Sequence, residues 1–214
     1  EPSAALASKP TLASFVPAPP DSIICAPSAI FDTAAVEAAL ETALSAASDA
    51  AAVRTATVKI LTEANAQGRS TIEDAIMQAP RNARPATHAY AWLTDCLVTS
   101  VLFVSQTKLH PNPNPDEDEQ IAVMAVGGYG RAEMSPYSDV DLLFLAPQKI
   151  TGRIESVIES MLYMFWDLHL KVGHSSRTIR DCLRLGKEDY TIRTAMLELR
   201  FLVGNQDLAH ELRT

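Results

Sequence analysis

Residues 121–146, IAVMAVGGYGRAEMSPYSDVDLLFLA, constrain the fold more than any other part of the chain. Ile121 to Val126 is a short, almost wholly apolar run ended by Gly127, the pattern of a strand buried on both faces. Gly127, Gly128 and Gly130 then allow a sharp turn with exposed N–H groups, because a residue without a Cβ takes positive φ and lets a ligand approach the backbone. Such a turn can hold phosphate. A second strand begins at Asp139, and the alternation of side chains puts Asp139, Asp141, Leu143 and Leu145 on one face and Val140, Leu142 and Phe144 on the other.

Two carboxylates side by side on a strand repel each other unless a cation lies between them. A hard divalent ion suits the place, Mg²⁺ (or Mn²⁺), since it favours carboxylate oxygens together with phosphate oxygens. Ten residues separate Gly128 from Asp139. A phosphate-holding turn followed at that distance by Asp139 and Asp141 is the least apparatus needed for metal-assisted nucleotidyl transfer. Gly127 and Gly128, with Arg131 by its charge and Ser138 by its hydroxyl, are the candidate nucleotide contacts. A tight hairpin with a solvated face would also accommodate a double glycine and a bare Asp-x-Asp, so the inference rests on the longer string.

That string, GGYGRAEMSPYSDVDLLFL, resembles the signature of the DNA polymerase beta-type nucleotidyltransferase superfamily. Within it, the string is most similar to the bacterial uridylyltransferase/uridylyl-removing enzymes that modify the nitrogen-regulatory PII protein. The similarity covers roughly residues 50–214 and includes Gly173-His174-Ser175-Ser176-Arg177-Thr178, where the family more usually has Val in place of Ser176. Inside the glycine motif the family usually has Gly where this chain has Ala132, a difference that matters only if the position needs positive φ.

The resemblance implies an α+β fold: a polymerase beta-like core with a small mixed sheet and helices, preceded by a helical N-terminal region. It implies transfer of UMP from UTP to a tyrosine of PII with release of pyrophosphate, in the cytoplasm, with Asp139 and Asp141 as metal ligands. It also implies a third carboxylate on a later strand. Asp167 is the best positional match, because Asp167-Leu168-His169-Leu170-Lys171-Val172 alternates polar and aliphatic residues. An edge strand with an outward-facing Asp, His and Lys explains the same alternation. Arg177 suits either a triphosphate contact or a helix cap, and His174 is left out of the catalytic set because metal-dependent transfer needs no histidine base. Two other functions remain open: an adenylyltransferase of the same superfamily, and a nucleotide- or partner-binding module without turnover. The family's proteins continue with a hydrolase module for uridylyl removal and glutamine-sensing modules, which this sequence lacks, so the core is expected to be truncated at its C-terminal end.

Composition narrows the class. The chain has 214 residues and a formal net charge of -8, which argues against the basic footprint that nucleic-acid binding needs and leaves a small-molecule or protein acceptor. Cys25, Cys96 and Cys182 lie far apart and suggest neither zinc nor a disulfide framework. No apolar run approaches the roughly 20 residues that span a bilayer, and no secretory signal is evident.

The expected organisation is a flexible Ala/Pro-rich extension over 1–30, a helical region over 31–110, an acidic Pro-rich loop over 111–120 and the nucleotidyltransferase core over 121–214. In the helical region a long helix, continuous or broken, starts at Asp32 or Thr33 and ends at Gly68, a shorter one runs from Ser70 towards Pro80, and a largely buried one follows through Tyr90, Leu93, Leu97 and Val101. Beyond the motif, Ile154 to Phe165 reads as an amphipathic helix and Asp189 to Val203 as a helix ended by Gly204-Asn205.

Overall fold

The computed structural model describes residues 10–112 and 120–213. Most of the acidic loop expected over 111–120 lies outside them. The N-terminal half is built from helices α1 (Pro27–Ile30), α2 (Thr33–Ser45), α3 (Ala50–Gln78) and α4 (Ala83–Val104). Asp32 caps α2 by accepting from the Ala35 N–H at 3.0 Å, and Asp49 caps α3 through Ala52 at 2.8 Å.

Two expectations about this half are corrected. The described part of 1–30 is no free extension: Leu12 and Ile30 are fully buried, and the Pro17 carbonyl accepts from the Trp92 indole at 3.1 Å. Apolar side chains spaced among the prolines suffice to tie it down. Nor does a helix end at Gly68; α3 runs straight through it. A Cβ there would stand 2.5 Å from the Ile30 carbonyl and 2.9 Å from the Leu93 side chain, so this glycine permits close packing rather than termination.

The second half contains β1 (Ala122–Ala125), the single helical turn α5 (Gly127–Gly130), β2 (Val140–Ala146), α6 (Gly152–Asp167), β3 (Val172–Thr178), α7 (Ile179–Glu188), α8 (Tyr190–Leu197), β4 (Arg200–Gly204) and α9 (Gln206–Arg213). Its strands form a mixed four-stranded sheet in the order β3-β2-β1-β4. β1 is antiparallel to β2 and β4, whereas β2 and β3 are parallel and joined across α6. The α+β class expected from the sequence is therefore what the chain forms.

Both faces of the sheet are covered. Val140, Leu142 and Phe144 join a large apolar cluster with α3, α4 and α6, while Leu143 and Leu145 pack with Ala122, Met124, Cys182 and Leu208 beneath α7 and α9. This is the two-face division that alternation along β2 predicted. The large cluster also takes in Leu40, Leu61 and Leu97, so the helical half and the sheet share one core.

Two further expectations fail in the second half. Asp167 is not on a strand: it is the last residue of α6, whose stripe of Ile154, Val157, Met161, Met164 and Phe165 is continued by buried Leu168. The 3.6-residue period thus overrides the local alternation, and the chain reverses at His169, which takes φ 57°. The stretch from Asp189 to Val203 is also not one helix. It breaks after α8, and Arg200–Gly204 pairs with the free edge of β1, whose backbone groups are buried and need partners.

Candidate active site

The glycine motif and the aspartate pair meet at the end of β2 that the helices leave uncovered. The Val126 N–H donates to the Asp141 carbonyl at 3.0 Å, and the Val140 N–H to the Lys171 carbonyl at 2.7 Å, which fixes β2 between the turn and β3. Asp141 is paired in register with Gly173. Its carboxylate lies between two glycines: a Cβ on Gly127 would stand 3.9 Å from Oδ2, and one on Gly173 would overlap Oδ1. Leu143 and Leu145, on the same face, are buried, but Asp139 and Asp141 are exposed to solvent.

The electrostatics of the pair follow from this placement. Partial burial, and then the neighbouring Asp139 charge, push the Asp141 carboxyl above its ordinary value. Two carboxylates beside a glycine turn make a ligand set of the kind a hard divalent cation takes. Asp167 does not join them, and among the described residues no three acidic, histidine or cysteine side chains are grouped closely enough to hold a metal.

The three glycines of the turn have different tasks. Gly127 takes φ 60°, where a side chain would be strained. Gly130 has no room for a Cβ, which would overlap the Glu198 carbonyl. Gly128 has its nearest neighbours at 3.7 Å and no positive φ, so the protein itself would accept a methyl there. Any intolerance at Gly128 must come from a ligand.

Arg131 lies beside the turn, with its guanidinium on Glu198 at 2.7 Å and Glu133 at 3.3 Å. Those two carboxylates raise its pKa by stabilising the charged form. Ser138 closes a turn in which its Oγ accepts from the Ser135 N–H at 2.9 Å, leaving the hydroxyl proton to donate. Ala132 takes φ 59°, so this chain holds alanine in the left-handed region that favours glycine.

One part of the neighbourhood escaped the sequence reading. Asp95, 4 % exposed in α4, receives a two-pronged pair from Arg200 at 2.7 and 3.0 Å, and Arg200 also reaches the carbonyls of Tyr129 at 3.1 Å and Gly130 at 3.3 Å. Burial pushes the Asp95 carboxyl up, and the Arg200 charge opposes that shift. The signal was present: a lone acid within the apolar row of α4 demands a buried cation.

No family model matches the chain. Comparison with curated proteins is decisive, however. The chain is 56 % identical over 183 residues to a bifunctional uridylyltransferase/uridylyl-removing enzyme of Ruegeria pomeroyi. It is 58 % identical over 164 residues to one of Cereibacter sphaeroides and 46 % identical over 160 residues to one of Erythrobacter litoralis. The chain belongs with the bifunctional uridylyltransferase/uridylyl-removing enzymes. These matches take in 86 %, 77 % and 75 % of the chain but only 20 %, 18 % and 17 % of the respective relatives, so the chain spans about a fifth of the length of the uridylyltransferases it matches. Among the described residues no helix is long and apolar enough to cross a membrane.

Proposed function

We propose that this chain carries the nucleotidyl-transfer site of a PII uridylyltransferase, moving UMP from UTP to a tyrosine of PII. The observation that carries the reading is the seating of the Asp141 carboxylate against Gly127, beside Asp139, at the open end of a buried sheet. The phenolic oxygen attacks the α-phosphorus, the bond to the β-phosphate oxygen breaks, pyrophosphate leaves and the phenolic proton passes to solvent. Gly127 and Gly128 present backbone N–H groups to the triphosphate, and Arg131 and Ser138 add charge and a hydroxyl donor. Asp139 and Asp141 would hold Mg²⁺ or Mn²⁺, which when bound neutralises the carboxylates and the triphosphate. Nucleotide and acceptor rest on the likeness to the named relatives.

Asp167 is not carried forward as a ligand, because its place at the end of α6 removes the positional argument for it. Among the described residues no third acidic partner joins the pair, which also suits a second reading, nucleotide binding without turnover. Incubating the protein with PII, Mg²⁺ and each labelled nucleotide in turn separates the two. Label should enter PII from UTP. Entry from ATP instead would refute uridylyl transfer, and binding of UTP with no label transferred would favour the second reading.

A further inference from the structure

We propose that Arg200, held by Asp95, is the positioning residue of the nucleotide cradle, an inference that rests on the nucleotidyl-transfer reading above. The short α5 turn is closed by four local backbone bonds: the Gly130 N–H on the Val126 carbonyl, the Arg131 N–H on that of Gly127 and the Ala132 N–H on that of Tyr129, each at 3.0 Å, and the Glu133 N–H on that of Gly128 at 3.1 Å. None of the four reaches beyond residues 126–133. An isolated turn of that length does not keep its shape in water.

Arg200 supplies what the turn lacks. Its Nη2 donates to the Tyr129 carbonyl at 3.1 Å and its Nε to the Gly130 carbonyl at 3.3 Å, so two consecutive peptide planes are fixed by one rigid group. The guanidinium is itself fixed from behind, because Nη1 and Nη2 take both oxygens of buried Asp95. The ring of Tyr129, 1 % exposed, lies under the guanidinium with its centroid 5.4 Å from Cζ. Two residues earlier, Glu198 closes the other side: its carbonyl occupies the space a Gly130 side chain would need, and its carboxylate holds Arg131. Fixing the trailing carbonyls of one helical turn fixes the direction of its leading N–H groups, those of Gly128 and Tyr129, which the triphosphate would meet.

Only arginine satisfies this geometry. Lysine would keep a charge opposite Asp95 but is a single point donor without the planar fork, so the carbonyl contacts would be lost. The test compares the unaltered protein with Arg200→Lys and with Leu202→Ala, a change in the same strand at a buried apolar side chain that has no hydrogen-bond donor to offer the turn's carbonyls. Amide hydrogen exchange and equilibrium binding of UTP with Mg²⁺ are measured on each. In Arg200→Lys, exchange at Gly130 to Glu133 should quicken roughly tenfold relative to β1, and the Kd for UTP should rise by a similar factor, the effect of losing one or two net hydrogen bonds. Leu202→Ala should lower the melting temperature without selective loosening of the turn or loss of UTP affinity. Asp95→Asn, isosteric with the native residue, should loosen the turn in the same direction as Arg200→Lys. Equal losses of affinity in Arg200→Lys and Leu202→Ala would reduce Arg200 to a structural residue and overturn the proposal. Binding by the unaltered protein that Arg200→Lys leaves unchanged would overturn the role of Arg200 alone, whereas no UTP binding by the unaltered protein would overturn the nucleotide reading and that role together.

Discussion

Asp141 carries two opposed demands. As a metal ligand it would have to be ionised, yet its partial burial and then the Asp139 charge push its carboxyl above the ordinary value in the metal-free fold. A carboxyl whose pKa is raised on folding stabilises the protein most when protonated, so this contribution is present below the unfolded value of about 3.9 and is lost as pH rises through the higher folded value. Asp141→Asn should therefore raise the melting temperature of the metal-free protein at pH 7, with the gain fading below about pH 4, and should abolish Mg²⁺-dependent transfer. A variant with normal transfer would remove Asp141 from the ligand set. At Ala132 the left-handed backbone costs about 1–2 kcal/mol, partly offset by alanine's lower unfolded-state entropy. Ala132→Gly should stabilise by about 0.5 kcal/mol, measurable by urea denaturation; destabilisation would mean that φ 59° carries no strain here. Within the glycine turn, Gly130→Ala should cost about 2–3 kcal/mol through overlap with the Glu198 carbonyl, whereas Gly128→Ala should leave stability nearly unchanged and weaken UTP binding. Unchanged UTP affinity in Gly128→Ala would count against the cradle.

Helix α3 shows how packing overrules propensity within an element. Glycine in mid-helix costs about 1 kcal/mol relative to alanine. Here it lies where α3 crosses α1 and α4, and an added methyl would press on a backbone oxygen that cannot swing away. Gly68→Ala should thus destabilise by about 1–2 kcal/mol in thermal unfolding, with overpacking outweighing the gain in propensity. A stabilised variant would show that α1 yields. The same logic applies to β3, where Gly173 leaves space for Asp141 Oδ1; the glycine of the 173–178 segment is explained by the carboxylate on the neighbouring strand. The end of α6 is the converse case. Leu168 and Leu170 alternate with polar neighbours as a strand would, but Leu168 continues the buried stripe of the helix, and one more apolar contact on an existing helix costs less than a new strand.

At the scale of the whole molecule, the shared apolar cluster and the ion pair between buried Asp95 and half-buried Arg200 tie the helical half to the sheet. Breaking a buried pair by removing one partner costs about 3–5 kcal/mol, and a common core leaves neither half able to melt alone. Helical circular dichroism and the fluorescence of Trp92, buried in α4, should lose their native signals in one transition. Two separated transitions would show that the halves are independent domains.

The sequence by itself determined the apolar strand β1, the two-faced strand β2, and the convergence of glycines and aspartates, because all of these lie within 26 consecutive residues where period and spacing act locally, while the α+β class followed from the family resemblance that the same residues carry. It also determined the buried character of α4 and narrowed the start of α2 to Asp32 or Thr33, of which Asp32 is the cap. Only the tertiary structure decided that Asp167 ends a helix, that 200–204 is a strand, that Gly130 rather than Gly128 is sterically required, and that Arg200 reaches Asp95 across 105 positions. Each of these depends on a partner far away in the chain: the free edge of β1, the Glu198 carbonyl, or a charge buried in another helix. Local periodicity is blind to such partners, since pairing and desolvation energies exist only once the chain has folded back on itself.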